Sequence, residues 1–219
     1  MKKRILLVLH PHKYIMLAMM LISTMALQSC NKDEPLSPLQ NQKYITLKTD
    51  MRTLWSDHMN WTYATVDAFY HAPNQLNANL NRLLQNQQDI GNAIKPYYGQ
   101  AAGDTLAALL TTHIQLAVPV LTAAQNGDQT ALDAALANWN ANAKDIADFL
   151  SAANPQNWPT SATEPMMQEH ISSTTTYAVD LLQENYDQSI MNFQHAYDHM
   201  MMLADILAEG IAKQFPDKF

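Results

Sequence analysis

From Tyr44 to Phe219 apolar residues recur at three- and four-residue spacing, and almost nothing interrupts them. A period near 3.6 is that of an amphipathic helix, whereas a half-buried strand would alternate every second residue. No stretch of this chain alternates convincingly. The whole sequence carries only 5 glycines in 219 residues, and its prolines concentrate where one periodic segment gives way to the next. The expectation is therefore an all-α fold, a bundle of about six helices. The spacing predicts helices over 44–71, 75–95, 100–125, 129–152, 164–184 and 187–214. The breaks fall at His71-Ala-Pro-Asn74, Lys95-Pro-Tyr-Tyr-Gly99, Asn126-Gly-Asp128, Asn154-Pro-Gln-Asn-Trp-Pro159 and Asn185. Asp128 and Thr163 are expected N-caps, and Pro119 is expected to kink the third helix.

The helices repeat. Gln85–Ile94, Ala141–Leu150 and Met201–Gly210 align, sharing Asp-Ile at 89–90, 145–146 and 205–206. His58, His113 and His170 recur in the odd-numbered helices, 55 and 57 residues apart. Each histidine precedes an Asp-Ile by 31, 32 or 35 residues, which suggests three copies of a helical hairpin.

The N-terminus has a different character. Met1-Lys-Lys-Arg4 is a positive start, and Tyr14–Leu27 is an apolar run too short to span a bilayer, the pattern of a secretory signal. The run ends in Leu27-Gln28-Ser29-Cys30, which resembles the lipobox of bacterial lipoproteins. That resemblance implies cleavage before Cys30 and a covalent lipid on it. Cys30 is the only cysteine, so no disulfide competes for it. Residues 1–29 then form the signal peptide, 30–43 a lipidated cysteine with a flexible tether, and 44–219 the helical domain. By the usual sorting pattern Asn31 directs such a protein to the outer membrane, facing the periplasm or the cell surface. The membrane, reached through the lipid anchor, is the first expected partner.

Residues 1–29 hold four of the 13 Lys and Arg and none of the 20 Asp and Glu, which leaves the remainder at −11. An acidic surface of that size argues against nucleic acid as a partner. Parts of the helical region resemble an uncharacterised family of small all-helical bacterial proteins. The residues concerned are Trp55-Ser-Asp-His58, Asn86–Gly99, Asn138-Trp-Asn-Ala-Asn142 and Gly210–Phe215. The resemblance implies the helical fold and no activity.

His58, His113 and His170 share a helical phase, each beside an apolar stripe: Leu54 and Trp55, Leu109 and Leu110, Met166 and Met167 stand one turn before them. Two readings stay open. The three imidazoles could converge on a transition metal, with Asp89, Asp145 and Asp205 as further ligands or as acceptors that set the tautomers. They could equally be packed core residues whose ring nitrogens satisfy backbone carbonyls or amide side chains. His195 and His199, at i and i+4 before Met200-Met-Met202, are a secondary metal candidate. The amide-rich stretch Asn74–Asn92 and the Trp and Tyr residues elsewhere suit a peptide, glycan or envelope-protein ligand. No nucleophile elbow, P-loop or dinucleotide fingerprint is present. The function expected is a binding or structural role in the cell envelope, with a metal-binding protein or metal-dependent enzyme as the alternative.

Overall fold

The computed structural model describes residues 37–219; the leader, Cys30 and the first part of the tether lie outside the described residues. Six α-helices follow one another, and there is no strand among the described residues: α1 Gln42–His71, α2 Pro73–Tyr98, α3 Gln100–Asn126, α4 Gln129–Ala153, α5 Thr160–Leu182 and α6 Tyr186–Gln214. The domain begins earlier than the periodicity implied. Pro38–Gln40 forms a 3-10 turn whose Leu39 packs on the core, and Asn41 caps α1 by accepting from the Lys43 amide at 2.9 Å.

The connections are one to six residues long, so successive helices must run antiparallel and lie side by side. Each helix packs on the next, and α6 closes the ring on α1. The odd-numbered helices α1, α3 and α5 also touch one another, which puts them at the centre. Their inward faces supply Met59, Leu110, Ile114, Ile171, Tyr177 and Leu181, and the even-numbered helices supply Ile90, Ile146, Leu203 and Leu207. Helix α3 is long and apolar enough to cross a membrane, and in this fold Leu106, Leu110, Ile114 and Val120 are instead spent on the core.

Local chemistry accounts for most boundaries. Gly127, at φ 64°, ends α3 in the left-handed conformation that β-carbon-bearing residues resist, and Asp128 then caps α4, its Oδ1 accepting from the Ala131 amide at 3.0 Å. Two expectations are corrected. Thr163 is not a cap: α5 starts at Thr160 after Pro159, while Thr163 is buried with its hydroxyl directed at the Ala147 carbonyl, 3.3 Å away. The start is set by Trp158, whose ring Nε1 donates to the Ile206 carbonyl at 3.1 Å and pins the preceding loop to α6. Helix α2 also runs through Pro96 to Tyr98, because Tyr97 and Tyr98 pack against Phe215, Phe219 and Trp158 and outweigh one missing amide.

Close approach decides where three of the glycines stand, Gly91 and Gly103 against each other's backbone and Gly210 against a side chain. A β-carbon on Gly91 would lie 2.5 Å from the Gly103 carbonyl oxygen, and one on Gly210 would lie 2.0 Å from Trp158 Nε1. The first lets α2 meet α3, and the second lets α6 accept the Trp158 ring.

Candidate functional site

The three repeated histidines meet at the middle of the bundle. His58, His113 and His170 are each 2% exposed. The His170 ring lies 5.7 Å from that of His58 and 5.6 Å from that of His113, centroid to centroid, the latter pair stacked at 24°. Trp55 meets His58 edge-on at 5.5 Å, and Trp139 lies 5.1 Å from His113.

The outer helix of each hairpin holds the inner one in the same way. Asn86 Nδ2 donates to the Leu54 carbonyl at 3.0 Å, Asn142 Nδ2 to the Leu109 carbonyl at 3.2 Å, and His199 Nε2 to the Met166 carbonyl at 2.9 Å. Each acceptor stands four residues before a repeated histidine, and the pairs are 32, 33 and 33 residues apart. The repeat is therefore physical, and its third register differs from the Asp-Ile alignment. Asp89 and Asp145 lie three residues after Asn86 and Asn142, and the corresponding position after His199 is Met202, with Asp205 a turn further on. Burial agrees: Ile90 and Ile146 are buried, as is Leu203, whereas Ile206 is 39% exposed.

The aspartates take no part in the histidine cluster. Asp205 holds Arg52 through two bonds of 2.7 and 2.8 Å and Lys48 at 3.2 Å, Asp89 pairs with Arg82 at 3.5 Å, and Asp145 is exposed. A carboxylate is stabilised by water and by these cations, so the residue before each buried isoleucine points outward. His195 is exposed while His199 is buried and commits Nε2 to a carbonyl, so the i, i+4 pair does not form a chelate. Among the described residues, no group of three His, Cys, Asp or Glu side chains is placed to hold a metal ion.

What fixes the imidazoles is amide chemistry. Asn142 Oδ1 lies 2.9 Å from His113 Nδ1, and because the same carboxamide donates through Nδ2, the histidine must be the donor here. His113 therefore carries its proton on Nδ1 and a lone pair on Nε2. Gln87 Nε2 lies 3.3 Å from His58 Nδ1 while donating to the Leu83 carbonyl at 2.7 Å, which makes His58 Nδ1 an acceptor and leaves the proton on its Nε2. Burial in an apolar setting pushes all three imidazoles toward the neutral form: His58 down to about 3, with the neighbouring His113 adding to the effect, His113 to about 4, and His170 well below the usual range.

Next to the cluster lies an apolar cavity of about 130 Å³. The three histidines border it at mid-bundle, and it extends between the C-terminal halves of α1, α3 and α5 and the N-terminal halves of α2 and α4, past Phe69, Leu80, Val120, Leu132 and Val179. No Asp, Glu, Lys or Arg lines it. Five buried polar atoms on its lining side chains have no hydrogen-bond partner: Tyr70 Oη, His113 Nε2, Trp139 Nε1, His170 Nδ1 and Thr174 Oγ1. Since α1 enters the bundle at its other end, the cavity lies in the half away from Ser37.

The histidines were legible as a repeat. Asn86 and Asn142 occupied one column of the same alignment, so their shared role could have been read from it. The role of Trp139 and the cavity itself had no sequence signal. No protein-family model, curated protein or solved structure matches this chain.

Proposed function

We propose that this protein is a lipid-anchored binding protein of the bacterial outer membrane, tethered through Cys30, that takes a small and mainly apolar molecule into the cavity beside His58, His113 and His170. The observation that carries the binding reading is the cavity. Protein interiors are packed as densely as organic crystals and rarely keep voids much larger than a water molecule. At roughly 24 cal/mol per Å³, a void of about 130 Å³ gives up about 3 kcal/mol of stability. An apolar cavity of about 150 Å³ is large enough to take benzene. A domain with 37 buried apolar residues could have closed such a gap with one larger side chain, so its retention supports occupancy. The membrane anchor and the envelope location rest on the leader and on the single cysteine, Cys30, that ends it.

The test is ligand-induced stabilisation. Toluene should raise the melting temperature of the full chain in a concentration-dependent way, because a molecule bound only by the native state stabilises it. Ala178→Leu, which places extra carbons into the cavity from α5, should raise the melting temperature without ligand and remove most of the toluene effect. No toluene effect on the unaltered chain refutes the reading.

A further inference from the structure

We infer that the cavity takes the unbranched hydrocarbon chain of a single-chain amphiphile, tail first, and leaves its polar head in water at the end of the bundle away from Ser37, where a head without negative charge is preferred. The inference rests on the binding reading above and adds the shape and the orientation of what is bound.

Shape carries the first part. A compact void of about 130 Å³ would touch little more than one turn of each helix beside it, yet the lining residues run from His58 to Tyr70 on α1 and from His113 to Ala124 on α3. At a rise of 1.5 Å per residue those spans are about 18 and 16 Å. So small a volume spread over that length is narrow, which is the form of an extended alkyl chain rather than of a ring system.

Burial sets the orientation. At the inner end His58, His113, His170 and Trp139 are buried, whereas Phe69, Leu76, Ala124 and Leu132 toward the outer end are each partly exposed. The cavity is thus closed at mid-bundle and meets water at the far end. Its accessible wall is almost wholly apolar, so a polar group taken inside would give up its water and gain no partner. A methyl end loses nothing there. The polar end of a ligand therefore stays at the rim.

The rim itself is acidic. Asp67, Asp133 and Asp180 directly follow the lining residues Val66, Leu132 and Val179. Among the described residues, Arg82 is the only Lys or Arg in the half of the bundle away from Ser37, and it is already paired with Asp57 at 3.1 Å. A carboxylate or sulfate head held there would face like charges without a free cation, while a hydroxyl or ammonium head would not.

The experiment measures binding of 1-alkanols to the purified full chain at pH 7 by calorimetry, with toluene alongside. From 1-butanol to 1-octanol each added methylene should tighten binding about fourfold. 1-Hexanol should bind about tenfold more tightly than its compact isomer 3,3-dimethylbutan-2-ol, whose apolar part does not reach as deep. The terminal methyl protons of 1-octanol, and not those beside its hydroxyl, should give nuclear Overhauser contacts to the histidine rings. Octanoate should bind about tenfold more weakly than 1-octanol at low salt, and the gap should narrow as salt is raised. Ala178→Leu, which narrows the passage, should flatten the alcohol series, a change that non-specific partition onto the surface would not show. If that variant does not fold, the branched isomer decides the same point. Toluene binding with a flat alcohol series, or with 1-hexanol no tighter than its isomer, overturns this inference and leaves the binding reading intact. Contacts from the hydroxyl end to the histidines overturn the orientation, and octanoate binding as tightly as 1-octanol overturns the preference at the rim. If neither toluene nor any alcohol binds, the binding reading itself falls.

Discussion

Asn142 Oδ1 accepts the Nδ1 proton of His113 at 2.9 Å, and the other end of the same carboxamide donates to the Leu109 carbonyl one turn earlier on α3. One side chain of an outer helix thus fixes both the height of the inner helix and the tautomer of its histidine. Asn142→Leu removes both bonds and leaves a buried imidazole N–H unpaired. It should destabilise the domain by about 1–3 kcal/mol. Urea unfolding with an unchanged slope checks this, and a loss below a few tenths of a kcal/mol would show that the pairing does not matter.

Acid should unfold the protein over an unusual window. Above about pH 6.5 a histidine is neutral in both folded and unfolded chains and contributes nothing to the pH dependence. Below that value the unfolded chain binds protons that the folded one refuses, because burial holds His113 at about 4, His58 at about 3 and His170 lower still. Stability therefore falls as pH drops from about 6.5 toward 4, by up to about 1.4 kcal/mol per pH unit for each histidine. His170→Phe should flatten that slope by about a third, measured as urea midpoints between pH 7 and 4.5.

The metal alternative makes a separate forecast. Stoichiometric Zn²⁺ or Co²⁺ should leave the melting temperature unchanged, since Gln87 occupies His58 Nδ1 as a donor and the three aspartates face outward. A rise of several degrees, abolished by His→Ala at each of 58, 113 and 170, would instead establish a metal centre.

Gly210→Ala tests the packing of the Asn154–Pro159 loop. The added carbon would stand 2.0 Å from Trp158 Nε1 and 2.6 Å from its Cε2, so the ring must leave its slot and lose its bond to Ile206. The expected cost is about 3 kcal/mol in chemical denaturation. Gly99→Ala separates backbone strain from contact: nothing lies within 4 Å of its added carbon, and only its backbone, at φ 85° and ψ 170° in a region glycine alone adopts readily, penalises it, by about 1–3 kcal/mol with the Trp158 indole fluorescence unchanged.

Cys30→Ala should abolish acylation and release the protein from the membrane fraction into the soluble one. Fractionation with mass spectrometry checks both. Unchanged membrane association in the variant would remove the lipid anchor from the account.

The helical class, the number of helices and most of their limits were written in the sequence. A 3.6-residue period, a scarcity of glycine, and caps such as Asp128 act through neighbours on the same segment, and need no knowledge of the fold. The histidine repeat was legible for the same reason. What escaped was everything that depends on which side chains face each other across the ring. Asp205-Ile206 imitated the motif of the other two hairpins, but only packing shows that Leu203 fills the place of Ile90 and Ile146 and that Ile206 does not. Thr163 had the chemistry of a cap, and a tryptophan anchored on α6, 48 residues away in sequence, started the helix elsewhere. The cavity is the clearest case. A void is defined by atoms from five helices that fail to meet, so no local pattern announces it, and only the tertiary structure brings His113, Trp139 and His170 to its edge.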